Sequence, residues 1–246
     1  MWEQFTIGAM SRAMSLDALT TSHPIQVPIK HAEEVEQVFD AISYYKGACV
    51  VRMLAAVLGK DHFRDGLRLY FKRHSYSNTI TADLWKAWQD VSGKDIPALM
   101  ANWTQKMGYP IVRCTEEAST DDKVTLSLSQ SRFLADGGEA KEKTVWTVPL
   151  QIQSVGGASQ SVLMMGAEMK LDVAADNINV NNGQHGLFRV CYEGKLFDNQ
   201  LTAAASKTIC AENRASLVDD AYAMATAGMI DVSQVIKVCS GEVGGH

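Results

Sequence analysis

At 246 residues the chain can hold one large domain or two to three small ones. Its 46% hydrophobic and 21% charged content is ordinary for a globular protein, and a net charge of −5 offers no basic footprint, which argues against a nucleic-acid partner. Cys49, Cys114, Cys191, Cys210 and Cys239 lie far apart with no C-x-x-C pair, so buried reduced thiols are expected rather than a disulfide framework or a metal knuckle.

The start, Met1-Trp2-Glu3-Gln4-Phe5, carries charge early and shows no short apolar core with a cleavage site, so no signal peptide is read and a cytoplasmic protein is expected. Trp2, Phe5, Ala9, Ala13 and Leu16 recur at helical spacing until Ser22-His23-Pro24 breaks the helix. Val35, Val38, Phe39 and Ile42 form the next apolar stripe, and Val50, Val51, Leu54 and Leu58 continue it to Gly59. The apolar run from Gly47 to Gly59 is short and contains Arg52, so it reads as a core helix and no membrane span is predicted. Asp61 is positioned to cap a helix with Phe63, Leu67 and Tyr70/Phe71 inside, and Thr81 one with Leu84, Trp85, Trp88 and Val91 inside and Ser92-Gly93 as its stop. Asp95 opens a third, with Pro97 in its first turn and Leu99, Met100, Trp103 and Met107 on one face. The sequon Asn102-Trp103-Thr104 falls on this helix and reads as a chance match.

From about residue 109 the period changes to two. Val124, Leu126 and Leu128 alternate with Thr125, Ser127 and Ser129; Trp146, Val148, Leu150 and Ile152 alternate with polar residues around Pro149, which belongs at an edge or bulge. Asp136-Gly137-Gly138 and Gly156-Gly157 are turn signals, and Phe188, Val190 and Tyr192 form a further alternating run. Short strands with glycine turns predict a small β-sandwich. A helical period returns with Leu217, Ala221, Met224 and Ala225 on one stripe, Asp219 and Asp220 in the early turns and Gly228 as the stop. Cys239 to His246 read as a loose tail.

Several strings, in order, resemble the zinc aminopeptidases of the puromycin-sensitive type, the gluzincin aminopeptidases. They are Leu16-Asp17-Ala18-Leu19, Ser22-His23-Pro24-Ile25, Phe39-Asp40-Ala41-Ile42-Ser43-Tyr44-Tyr45-Lys46-Gly47-Ala48, Tyr76-Ser77-Asn78-Thr79 with Asp83-Leu84-Trp85, and Trp103-Thr104 with Gly108-Tyr109-Pro110. Gln130-Ser131-Arg132-Phe133-Leu134, Trp146 to Leu150, Gly186 to Val190 with Tyr192, and Asn213 to Ala221 with Ala227-Gly228 continue it. The resemblance implies a multi-domain α+β fold. Residues 1–108 would be the all-α second half of a thermolysin-like catalytic domain, 109–193 a β-sandwich, 194–238 the first helices of a helical-repeat domain, and 239–246 a tail.

The same resemblance implies zinc and peptide substrates in the complete enzyme, and Tyr44 as its catalytic residue in the pattern Tyr-x-Lys-Gly. A phenol with a pKa near ~10 keeps its proton at neutral pH and can donate a hydrogen bond to the oxyanion of a tetrahedral intermediate. From spacing alone, a helical tyrosine reads first as a core residue; Tyr45, at the variable position, keeps that structural reading. The H-E-x-x-H zinc motif is not in this sequence: the histidines are 23, 31, 62, 74, 185 and 246, and no two are four apart. The chain is therefore expected to be a C-terminal part that lacks its N-terminal catalytic half, binds no zinc alone and is inactive alone. The alternative is a non-catalytic interaction module or truncated pseudoenzyme that binds a partner or peptide. His23 at the helix break reads as structural, and Glu33, Glu34 and Glu36 as a solvated face.

Overall fold

The computed structural model describes residues 1–120, 123–153, 159–174 and 178–241. The turn expected at Gly156-Gly157 and most of the expected tail lie outside them; Cys239 and Ser240 close a helix instead. The chain begins as one helical rod: α1 (Trp2–Phe5), a π turn (Thr6–Met10) and α2 (Ser11–Asp17). The wider i→i+5 turn moves the buried stripe off the expected register. Thr6, Met10, Ala13, Met14 and Asp17 are buried, while Trp2 is 47% exposed. A 3₁₀ turn (Ala32–Val38) follows, in which the carboxylate of Glu34 accepts the N–H of Lys30 at 2.8 Å. Three residues per turn cannot hold the expected stripe on one face; Val35 and Phe39 stay exposed and Ile42 is buried.

A second π turn (Ile42–Lys46) opens α3 (Gly47–His74), which Gly59 breaks at φ +75°. The run Ile42–His74 is, against expectation, long and apolar enough by length and composition to cross a membrane. Its packing is that of a core helix: Met53 and Leu54 are buried, and the buried Arg52 donates to the carbonyls of Gln184 and Gly183 at 2.7 and 2.8 Å. Beyond Gly59, Asp61 does not cap but pairs with Arg64 at 2.9 Å, and Phe71, expected inside, is exposed.

Local chemistry sets α4 (Thr81–Ser92) and α5 (Ile96–Gln105). Asp83, rather than Thr81, caps α4 by accepting the Ile80 N–H at 2.9 Å, and Gly93 ends it in the left-handed region. Asp95 caps α5 through the Ala98 N–H at 3.1 Å. Trp88 and Trp103 are buried, and Trp103 stands 6.2 Å from Trp146 while its Nε1–H donates to Thr147 O at 3.0 Å. The Asn102 amide donates to Val145 O at 2.7 Å.

Among the described residues six strands follow: β1 (Pro110–Ser119), β2 (Lys123–Arg132), β3 (Val148–Ile152), β4 (Gln160–Met164), β5 (Glu168–Ala174) and β6 (Arg189–Tyr192). They form a four-stranded sheet, β5-β2-β1-β6, and a two-stranded sheet, β3-β4, with β1 and β6 parallel and the other pairs antiparallel. Val124, Leu126 and Leu128 face the core as the alternation predicts. Gln130 joins β2 to its surroundings: its Nε2 donates to Trp146 O and Gly166 O, each at 2.8 Å, and its Oε1 accepts the Trp146 N–H at 2.9 Å. The β6 segment departs from alternation, since all four of its residues are buried. Its outer edge is covered by α7 (Ala211–Thr226), whose Asp220 accepts the Val190 N–H at 3.1 Å.

Helices α6 (Lys195–Ala205), α7 and α8 (Val232–Ser240) end the described chain. Leu217, Ala221 and Met224 are buried as expected, but Val218, Tyr222, Val232 and Ile236 are exposed. One apolar core runs from α2 and α3 through Trp88 and Trp103 into both sheets. Of the cysteines, Cys49, Cys114 and Cys191 are buried free thiols, whereas Cys210 and Cys239 are exposed, contrary to expectation.

Candidate active site

The π turn that starts α3 carries Tyr44 and Lys46. Residues two apart on a helical turn do not share a face, and the structure sends them opposite ways: Lys46 is wholly buried, Tyr44 60% exposed. Lys46 Nζ meets Asp17 Oδ2 at 2.9 Å and donates to the carbonyls of Lys106 at 3.0 Å and Gly108 at 3.1 Å. The ammonium is thus held by one ion pair and two carbonyl hydrogen bonds. Burial pulls the Lys46 ammonium below the ordinary lysine value, against the pull of Asp17.

Asp17 completes the knot. Its Oδ1 accepts the Gly108 N–H at 2.7 Å and the Ser22 hydroxyl at 2.6 Å. Gly108 has no room for a side chain, since a Cβ there would lie 2.3 Å from Arg132 Nε, and its φ of +84° suits glycine. Arg132 in turn donates to Leu19 O at 3.1 Å. Segments that sequence reading singled out separately, around residues 17, 22, 46, 108 and 132, therefore meet at one place.

Above this knot the outer face of the turn is aromatic and open. The Tyr44 ring stands 6.3 Å from that of Phe39, itself 63% exposed. Tyr45, 38% exposed, has the Arg12 guanidinium 5.9 Å over its ring, so it is half-buried rather than core. Asp40 caps the turn by accepting the Ser43 N–H at 2.8 Å, and its second oxygen contacts His23 Nε2. π turns of this kind are frequent at functional sites.

Sequence reading treated Asp17 as part of a string and missed its burial. The available signal was its place four residues after Ala13 and three after Met14 on a buried stripe. Arg189 and Asp220 were also missed: Arg189 Nη1 pairs with Asp219 at 2.8 Å and Asp220 at 2.7 Å, and its Nε donates to the Tyr109 hydroxyl at 3.2 Å. Burial lifts Asp220 to about 6 against the opposing charge of Arg189 and the Val190 N–H, and the neighbouring Asp219 adds to the rise.

An apolar groove of about 1230 Å³ lies elsewhere. Trp2, Phe5, Val51, Phe63, Leu67 and Phe71 line it, and Tyr44 does not. Zinc does not fit the described residues: among them no group of three or more His, Cys, Asp or Glu side chains is arranged to hold a metal ion.

Two family models match. Residues 1–103 match the peptidase family M1 domain, and residues 178–243 the ERAP1-like C-terminal domain. The chain is 37% identical over 242 residues to Aminopeptidase 2 of Candida albicans, covering 97% of this chain and 26% of that protein. It is 32% identical over 248 residues to the puromycin-sensitive aminopeptidase of Caenorhabditis elegans, covering 98% and 26%. It is 34% identical over 258 residues to Aminopeptidase M1 of Arabidopsis thaliana, covering 98% and 28%. The chain belongs to the M1 peptidase family of aminopeptidases. It spans about a quarter of the length of these relatives.

Proposed function

We propose that this chain is part of a zinc-dependent aminopeptidase that removes N-terminal residues from peptides, and that Tyr44 donates a hydrogen bond to the oxyanion formed when the scissile carbonyl is attacked. The observation that carries this reading is Tyr44 itself: a protruding phenol on a capped π turn, anchored from below by Lys46 and Asp17. Preorganisation of this kind is what makes an oxyanion donor effective, because little is spent on aligning it during reaction.

In this reading residues 1–108 are the second half of a thermolysin-like catalytic domain, 109–193 a β-sandwich and 194–238 the opening of a helical domain. The order of the two matching family models supports it. Zinc is held by residues outside this chain, and the protein is cytoplasmic.

Transplanting the chain into the matching segment of Aminopeptidase 2 of Candida albicans tests the role of Tyr44. The hybrid is expected to hydrolyse aminoacyl reporter substrates, and Tyr44→Phe to lower its kcat about 100- to 1000-fold with KM nearly unchanged. Tyr45→Phe is expected to be near wild type. A Tyr44→Phe hybrid within threefold (roughly 0.7 kcal/mol) of its parent overturns the assignment. The chain on its own is expected to be inactive and to retain no stoichiometric zinc.

A second reading, a non-catalytic module that binds a partner, draws on the apolar groove beside α3, whose small residues Gly47, Ala48, Ala55 and Ala56 let another segment approach closely. Co-purification of a zinc-bearing partner favours it; a monodisperse monomer with no partner counts against it.

A further inference from the structure

Both ring nitrogens of His23 face oxygens that accept. Nδ1 lies 2.9 Å from the carbonyl of Pro24, and Nε2 contacts Oδ2 of Asp40. A neutral imidazole has one N–H and one lone pair, so it can satisfy only one of these; the doubly protonated ring satisfies both. Asp40 is equally committed. Its Oδ1 accepts the Ser43 N–H at 2.8 Å and its backbone carbonyl accepts the Tyr44 N–H at 3.1 Å. An unbroken chain of polar contacts therefore runs from the loop at Pro24, through the ring and the carboxylate, to the turn that presents Tyr44.

Few other charges bear on the ring. Asp17, at the end of α2, acts at longer range, and its own charge is matched by Lys46. The side chains of His23 and Asp40 are each about one-third exposed, 36% and 33%, so bulk proton exchange reaches them.

We propose that His23 and Asp40 are a positioning pair for Tyr44: the charged ring ties the Pro24 loop to the carboxylate that caps the tyrosine's turn, and loss of one ring proton slackens that turn. The consequence for catalysis rests on the reading of Tyr44 given above, while the coupling between the pair and the tyrosine stands by itself. Burial works against the charged ring, but the Pro24 carbonyl and Asp40 outweigh it and raise His23 above its ordinary 6.5. Burial likewise works against ionised Asp40, and Ser43 and His23 outweigh it to hold that carboxylate below its usual range. The charged pair thus persists to higher pH than a free histidine would allow.

The test is a proton-carbon NMR titration of the full chain, following the ring signals of His23 and Tyr44. His23 is expected to titrate with a midpoint above 6.5, and the Tyr44 signals to shift with that same midpoint. In Asp40→Asn the His23 midpoint is expected to fall, and the Tyr44 signals to stop following it. In His23→Gln the Tyr44 signals are expected to lose this inflection altogether. Tyr44 signals that ignore the His23 titration in the wild-type chain overturn the proposal, as does a His23 midpoint at or below 6.5; neither outcome depends on a variant folding. A silent Tyr44→Phe hybrid with the coupling intact sinks the catalytic reading alone, and a damaging Tyr44→Phe with no coupling sinks the positioning pair alone.

Discussion

Two buried charge clusters stand out among the described residues, one matched in charge and one carrying an excess of acid. Beneath Tyr44, one carboxylate meets one ammonium: Asp17 faces Lys46, and two backbone carbonyls accept hydrogen bonds from the lysine. At the seat of α7, one guanidinium serves two carboxylates, Asp219 at the rim and Asp220 inside. The first cluster is matched in charge and its cost is desolvation, which drags Lys46 downward. The second carries more acid than base, and burial, with a smaller push from Asp219, lifts its inner carboxyl to about 6. The first ties α2 to the residues just before β1, and the second ties β6 to α7. A matched pair serves as a fixed pin, while an unmatched one gives the contact a dependence on pH.

The largest effect is expected where the matched pair is broken. Lys46→Met leaves Asp17 buried with no cation, and such a loss typically costs about 3–5 kcal/mol. A fall of the urea midpoint by that measure, with the Tyr44 turn loosened, is the expected result. Removing both charges, Asp17→Leu with Lys46→Met, is expected to recover only part of it. The buried Gly108 N–H would then have no acceptor, a loss of about 1–3 kcal/mol by itself. Full recovery in the double variant would show that Asp17 matters only as the partner of a cation.

A middle effect belongs to the unmatched cluster and has a sign. With Asp220 lifted to about 6 from an ordinary 3.8, the folded protein keeps this proton in a range where the unfolded chain has released it. The stability this group contributes is full below 3.8 and is lost as pH rises through about 6. Asp220→Asn holds the group neutral and is expected to flatten that slope, by on the order of 3 kcal/mol across the window. It also gives up one acceptor for Arg189 or Val190, so its stability below the window is expected to be the lower of the two proteins. Urea midpoints at several pH values check both statements; a wild-type curve that rises through this window faster than that of Asp220→Asn contradicts the assignment.

What was legible in the sequence follows from range. The ends of α4 and α5 are written within four residues, by Ser92-Gly93 and by Asp95 with Pro97, and they appear where read. The alternation of Val124, Leu126 and Leu128 is equally local. The first rod was misread because a π turn inserts register that a fixed helical period cannot carry. Asp17, Lys46, Arg189 and Asp220 look like surface residues one at a time; each is buried only because a partner some thirty positions away neutralises it. Spacing gave Tyr44 no distinction from any helical tyrosine. What marked it was the resemblance of its segment to a family pattern, and the structure adds that the lysine two positions on turns it outward.

The smallest effects compare the clusters one hydroxyl at a time. Ser22 donates to Asp17 at 2.6 Å in the matched cluster, and Ser11 donates to Asp219 at 2.7 Å in the unmatched one. Each is a hydrogen bond to a charged acceptor, worth about 1.5–3 kcal/mol where water cannot replace it. Water can replace it at Asp219, which is 39% exposed, and cannot at Asp17, which is 1% exposed. Ser22→Ala is therefore expected to cost roughly 1.5 kcal/mol or more and Ser11→Ala roughly half of that, read from urea midpoints at neutral pH. Because Ser11 joins α2 to α7, its loss is also expected to raise amide exchange in α7 while leaving α3 unchanged. Equal costs for the two serines would mean that the rim acid is as dry as the inner one, and the contrast between a sealed pin and an open seat would fail.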